Sequence, residues 1–199
     1  MRIETIEKQI YNYDDLFLSE NIDLKNKVLE KLHDINTEHI NNMQDYNDIY
    51  SIELSERGFN NITMFYDCSC SQGSGACFDC TEFNFDILLS DFNCVHKKWI
   101  IQVLDYYYSG KILERGNSNL YSHSNTRYFK FDSNMKYDYN RLESIINNIE
   151  KHIENKRQEA CGWLYYTLCK EFDYLQSEEA ILKTIQCNEY EFDIDGNIT

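Results

Sequence analysis

The stretch that decides the fold is GFNNITMFYDCSCSQGSGACFDCTEFNFDI, residues 58–87. Ile62, Met64 and Tyr66 alternate with other residues, the two-residue period of a strand with one buried face. The chain then enters a segment rich in cysteine and glycine, Cys68 to Cys80. Beyond it Phe83, Phe85 and Ile87 alternate with Asn84 and Asp86, which predicts a second half-buried strand. A β-hairpin or bulge joining two strands is the expected role of the segment between them.

Upstream, Leu24, Val28, Leu32 and Ile35 recur at helical spacing and predict an amphipathic helix over about residues 22–36. Residues 42–57 read as a weaker helix with Gly58 as its C-cap. Residues 3–11 read as a strand carrying Ile3, Ile6 and Ile10, and Asp14-Asp15 as a turn. Downstream, Val95, Trp99, Ile100, Val103, Leu104 and Tyr107 predict a helix stopped near Gly110. Strands are expected at about 111–115 and 126–132. Leu142, Ile145, Ile146, Ile149 and Ile153 mark a long helix. Gly162 leaves its continuation to Leu175 open, since glycine costs about 1 kcal/mol inside a helix. Ser177 before Glu178 and Glu179 signals a last helix, because the hydroxyl caps free amides and the acids suit the dipole. Tyr190 and Phe192 lead to an Asp195-Gly196 turn. Without a linker or repeat, the chain reads as one α+β domain over 1–199, mainly antiparallel sheet packed by several amphipathic helices. Its C-terminal part, about 139–187, is helical.

With 42% hydrophobic residues, 16 Tyr and 11 Phe among 199, the chain can bury a sizeable core. Its 34 acidic and 19 basic groups give a formal charge of −15. Phosphate binding needs clustered Lys and Arg, so direct nucleic-acid binding is excluded as a general activity. Two readings of the acidity remain: a solvated surface that aids solubility, or a face that docks on a basic partner. No apolar run approaches the roughly 20 residues of a membrane span, and the N-terminus lacks a signal-type stretch. A cytoplasmic location and no membrane partner are therefore expected, and the eight Cys should be free thiols. The oligomeric state is not legible.

Three chemistries fit the segment from Cys68 to Cys80. Cys68, Cys70, Cys77 and Cys80 have the spacing C-x-C-x6-C-x2-C and could form a cramped tetrahedral zinc cage. The expected cofactor is none, with that zinc site as the alternative. Gln72 ahead of Cys77 and Phe78 suggests a papain-like pair, the amide lining an oxyanion hole and the thiolate attacking. His123 or His96 would be the base. Gly73 and Gly75, with Ser74 between them, could take positive φ and leave amides open to an anion. Tyr121-Ser122-His123-Ser124-Asn125-Thr126 lies in a turn between two strands, where Tyr121 and His123 could face a ligand held by the Gln72–Gly75 loop.

Four stretches carry a resemblance to a known group: IYNYDDL near residue 10 with the Lys- and Glu-rich helix after it, GFNNITMFYDCSCSQGSGACF, YSHSNT, and the ending EFDYLQSEEAILKTIQCNEYEFDIDGNIT. The chain resembles an uncharacterised family of bacteriophage and prophage proteins, some described as antitoxin-like. That family carries a loop close to S-Q-G-D-G-A-C-F and a Tyr-x-His turn. Ser71, Gln72, Gly73, Gly75, Ala76, Cys77 and Phe78 match the loop, and Tyr121 and His123 match the turn. Ser74 replaces the family's acid, and Cys68, Cys70 and Cys80 lie outside its pattern. The resemblance implies a phage accessory protein, and with the charge it suggests binding and inhibition of a host protein with a basic surface, such as a defence component or toxin. The alternative is a small-molecule, nucleotide or Cys-His hydrolase-like site formed by Gln72–Cys77 and His123.

Overall fold

A computed structural model of the protein describes residues 9–17, 22–40, 43–68, 73–115, 122–133 and 140–199. The fold is α+β and divides into two compact units, 1–42 with 170–199, and 43–169.

The smaller unit holds α1 (Tyr13–Phe17), α2 (Ile22–Ile40) and α7 (Glu178–Asn188). Asp14-Asp15, expected as a turn, lies inside α1. The Asn12 and Asp15 side chains each accept the other's backbone N–H, a reciprocal cap that starts a helix there. Leu24, Val28 and Leu32 of α2 share one face and bury against Ile181, Ile185, Leu16 and Phe192. The Ser177 cap is present, its side chain accepting the Ala180 amide. Phe192 bridges Tyr11 on one side and Ile198 on the other, with a turn at Gly196, whose φ is +78°. Residues 9–10 are irregular. The rest of the strand expected at 3–11, apart from the single bridge at Tyr11, lies outside the described residues.

The larger unit runs α3 (Met43–Glu56), β1 (Phe59–Asp67), β2 (Gly75–Phe83), α4 (Phe85–Leu88), α5 (Lys97–Tyr107), β3 (Tyr108–Glu114), a 3-10 turn (Ser124–Thr126), β4 (Arg127–Ser133) and α6 (Asn140–Leu175). Leu175 and the last turn of α6 belong to the smaller unit by the division above. The expected antiparallel pairing is realised as two separate ladders, β1 with β2 and β3 with β4. Gly58, with φ +93°, ends α3 as the sequence predicts.

The second strand is displaced from its expected place. It occupies Gly75–Phe83, within the cysteine-rich segment, pairing Phe65 with Cys77 and Phe59 with Phe83. Ala76, Cys77, Phe78 and Cys80 are all buried, so both faces of β2 are covered and the two-residue alternation is lost. Of the strand expected at Phe83–Ile87 only Phe83 is extended, as the last residue of β2, and Phe85–Leu88 is instead a helical turn. Asn84 Oδ1 accepts the Ile87 amide, and Phe85 and Leu88 bury together at i,i+3.

Aromatic rings fill the space between the ladders. Phe59 meets Phe78 edge-on at 5.1 Å, and Phe83 meets Phe129 at 5.1 Å. Gly110, expected to stop α5, sits inside β3, because a Cβ there would lie 2.7 Å from the Phe83 ring and 2.8 Å from Phe129. Gly162 is the reverse case: α6 runs through it unbroken, and nothing lies within 4 Å of an added Cβ. Gly162→Ala should therefore stabilise the protein by about 1 kcal/mol. Gly110→Ala should destabilise it by roughly 1–3 kcal/mol through overpacking. Urea unfolding of both variants reads the two signs.

Candidate functional site

The segment at Gly75 and the turn at His123 do converge. A Cβ on Gly75 would stand 2.8 Å from His123 Nδ1 and 3.2 Å from the Ser122 carbonyl oxygen. The residue is glycine because the turn packs flush on the strand. Its backbone is part of β2, paired with Asp67, and has no positive φ, which corrects the anion-loop expectation at this position. Ser74 is buried beside it. Gln72, Cys70 and Tyr121 lie outside the described residues.

Cys77 shares a strand face with Gly75 and Asp79, being two residues from each. It is 0% exposed. Its Sγ lies 3.8 Å from Thr126 Oγ1 and accepts from Arg127 Nη1 at 3.3 Å, while Thr126 Oγ1 donates to the His123 carbonyl at 2.7 Å. No helix starts at Cys77, so the papain-like arrangement lacks its helix N-terminus here. His96, the other base considered, stands at the start of α5. Cys77 and Cys80 are three apart on β2, so the two-residue period of a strand sets them on opposite faces, an arrangement that does not favour a shared zinc cage; Cys70, its fourth ligand, lies outside the described residues. Among the described residues no three His, Cys, Asp or Glu side chains form a group that could hold a metal.

Two arginines organise the corner. Arg127 is 5% exposed and lies over the Phe65 ring at 3.9 Å. Its Nη2 donates to Glu114 at 2.8 Å, and its Nε is 2.7 Å from Asp79 Oδ1, an ion pair without hydrogen-bond alignment. Burial pushes the Asp79 carboxyl above its ordinary value, against the pull of Arg127.

Arg157 is 0% exposed. It donates to both Glu154 oxygens at 2.8 Å, to the Ser124 and Arg127 carbonyls at 2.7 Å, and to Cys161 Sγ at 3.4 Å. Glu154 in turn accepts the Phe129 amide at 2.8 Å, and Glu150 accepts the Phe131 amide at 3.0 Å. Burial acts to raise Glu154, and the hydrogen bonds from Arg157, Phe129 and Gln158 outweigh it, so its carboxyl titrates below the ordinary value. Burial pushes the Cys161 thiol up to about 12, so it stays protonated at neutral pH.

The hairpin-and-turn corner is thus a closed hydrogen-bonded joint, and its donors are spent on the protein itself. Sequence reasoning missed Arg127, Glu150, Glu154 and Arg157. One signal was available: Arg157 continues the stripe Ile146, Ile149 and Ile153 of α6, and a charge on an apolar stripe implies a buried partner.

A second candidate is an open cleft of about 520 Å3 bordered by the end of β2, α4, the end of α5 and the start of β3. Glu82, Asp86 and Asp105 line it with Phe83, Phe85 and Tyr108, and no Lys or Arg does. None of the three carboxylates joins an ion pair among the described residues. Burial and the neighbouring Asp86 push the Asp105 carboxyl above its ordinary value.

No protein-family model, curated protein or solved structure matches the chain. Among the described residues no helix is long and apolar enough to cross a membrane.

Glu154, with its folded value depressed, contributes stability above the ordinary carboxyl value of 4.5 and loses it as pH falls through the folded value. Glu154→Gln should cost roughly 3–5 kcal/mol near neutral pH, because Arg157 is left buried without a counter-charge. It should also flatten the fall in stability below pH 4.5 relative to wild type, which urea unfolding at a series of pH values measures.

Proposed function

We propose that this protein is a phage accessory protein that acts by binding a host protein with a basic surface, such as a defence component or toxin, and so inhibiting it. The observation that carries the reading is the formal charge of −15 together with a cleft whose three carboxylates have no basic partner in the described residues. Charge of one sign raises the encounter rate with the other sign and suppresses association with nucleic acid. The family resemblance in the Ser71–Phe78 loop and the Tyr121–His123 turn supports the phage setting.

The rival, a Cys-His hydrolase-like or nucleotide site at Gln72, Cys77 and His123, is disfavoured by the position of Cys77. A nucleophile must reach its substrate, and this sulfur has no exposed surface and faces a guanidinium already committed to Glu114. An anionic nucleotide would also meet a chain of the same sign.

Wild type, Cys77→Ala and Gln72→Ala, each verified as folded, would be used to capture proteins from host lysate at 50 mM and 500 mM salt. The reading predicts one captured species common to all three and at least tenfold less of it at the higher salt, since roughly a Debye length of 3–10 Å then limits the attraction. Loss of inhibition in a folded Cys77→Ala protein that still captures the partner contradicts it and restores the enzymatic rival.

A further inference from the structure

The two ladders of the larger unit have four outer edges, and helix side chains reach three of them. Phe129 and Phe131 on β4 give their amides to Glu154 and Glu150. The Met64 amide on β1 goes to Asn47 Oδ1 of α3 at 2.9 Å, and the Phe78 amide on β2 goes to Cys161 Sγ of α6.

The fourth edge is that of β3. In an antiparallel pair, residues directly opposite share their phase, so outward Arg127, Phe129 and Phe131 set Glu114, Ile112 and Gly110 outward too. The bond from the Arg115 amide to the Thr126 carbonyl fits the same phase. The Tyr108 amide, next in that series, is taken by the Leu104 carbonyl of α5. Among the described residues, the outward N–H and C=O groups of Gly110, Ile112 and Glu114 make no hydrogen bond. Edges are commonly blunted by a bulge or a proline. β3 instead keeps unbroken register with β4, and the chain has no proline. Such a row of backbone donors and acceptors has one natural complement, a further strand.

Charge selects that strand. Lys111 and Lys130 stand directly opposite each other on the outer face of the ladder, and Arg115 lies over the Tyr128 ring beside them. Asp132 on that face pairs with Lys111, while Lys130 and Arg115 join no ion pair among the described residues. A second copy of the chain fits poorly. Twofold antiparallel registers centred on 111, 112 or 113 set Lys111 opposite or diagonal to the copy's Lys111 or Arg115, and like charges so placed repel.

We infer that the outer edge of β3 docks an extended segment of a partner protein, added antiparallel as a third strand, with acidic side chains facing Lys111 and its neighbours. The site is separate from the proposed contact with a basic partner and takes the opposite charge, so either can fail without the other. The net charge of −15 slows approach of an acidic segment, but beyond roughly 8 Å it is screened at physiological salt, and the nearby cations decide. Residues of the added strand that bond to β3 lie opposite Gly110, Ile112 and Glu114, and those between them lie opposite Lys111 and Leu113.

The experiment uses the full chain and a fluorescent peptide of alternating Val and Glu, about nine residues long, in anisotropy at about 150 mM salt. N-methylation of its Val amides removes the donors that face β3 when Glu faces Lys111, and should weaken binding about tenfold or more. N-methylation of its Glu amides should leave binding within about twofold, and a Val–Lys peptide should bind about tenfold more weakly. Ile112→Pro deletes an N–H that the ladder does not use, so the protein should still fold and lose about tenfold or more in affinity. Ile112→Ala, which keeps that N–H, should lose about threefold or less, and Lys111→Glu about fivefold. In the protein alone, the amides of Gly110, Ile112 and Glu114 should exchange fast while Lys111, Leu113 and Arg115 are protected, and the peptide should slow the first three.

Equal binding of the two methylated peptides, or of Ile112→Pro and wild type, overturns the strand pairing. If Ile112→Pro fails to fold, the methylated peptides decide alone. Slow exchange of the three amides in the protein alone overturns the open edge, and a concentration-dependent dimer that protects them assigns the edge to a second copy instead. No binding of the Val–Glu peptide to wild type overturns the acidic-strand assignment.

Discussion

The larger unit depends on how one face of α6 satisfies the outer edge of β4. A two-stranded ladder leaves the outward backbone groups of each strand without a strand partner, and such groups are costly when buried. On β4 those groups are the amides of Phe129 and Phe131 and the carbonyl of Arg127. Glu154, Glu150 and Arg157 take them in that order. The helix spacing of four and three residues matches the strand spacing of two because both rows run along the same contact. Three side chains thus stand in for a missing strand. Arg157 goes further, reaching the Ser124 carbonyl and so fixing the turn that carries His123.

That constraint decides what the hairpin motif can do. With the turn tied to α6, His123 is set against Gly75, and Arg127 is aimed at Cys77, Asp79 and Glu114. Every chemically suggestive group of the corner acquires a structural duty. A bare glycine is needed for contact, a thiol fills space under a guanidinium, and the acids balance two buried arginines. A buried ion pair of this kind is weak evidence for stability by itself, but removing one member is severe. The unit's uncommitted chemistry lies at the other end of β2, where Glu82, Asp86 and Asp105 gather without a counter-ion among the described residues.

Helices were legible in the sequence wherever one apolar stripe faced one core. The Leu24, Val28 and Leu32 stripe, the Ser177 cap and the Gly58 stop all stand where periodicity and capping chemistry put them. β2 was not legible, because burial on both faces removes the alternation, and the Phe-x-Phe-x-Ile alternation at its end runs from its last residue, Phe83, into a capped helical turn. Gly110 and Gly162 show the limit of reading glycine as punctuation. One answers to close rings and the other to nothing, and only the fold separates them. The convergence of the Gly75 and His123 segments was open in the sequence. The two arginines that close it were not sought, since their partners are about 30 and 50 residues away along the chain.

Amide hydrogen exchange at Phe129 and Phe131 tests the α6 edge most directly. In wild type both amides should be protected to nearly the level of global unfolding, although neither faces a strand. Glu150→Gln should lower protection at Phe131 by about tenfold or more while Phe129 keeps most of its own, since one charge-assisted hydrogen bond is weakened at a time. Fast exchange at both positions in wild type, or equal protection in the variant, would contradict the account, because the edge would then be satisfied by something other than these carboxylates.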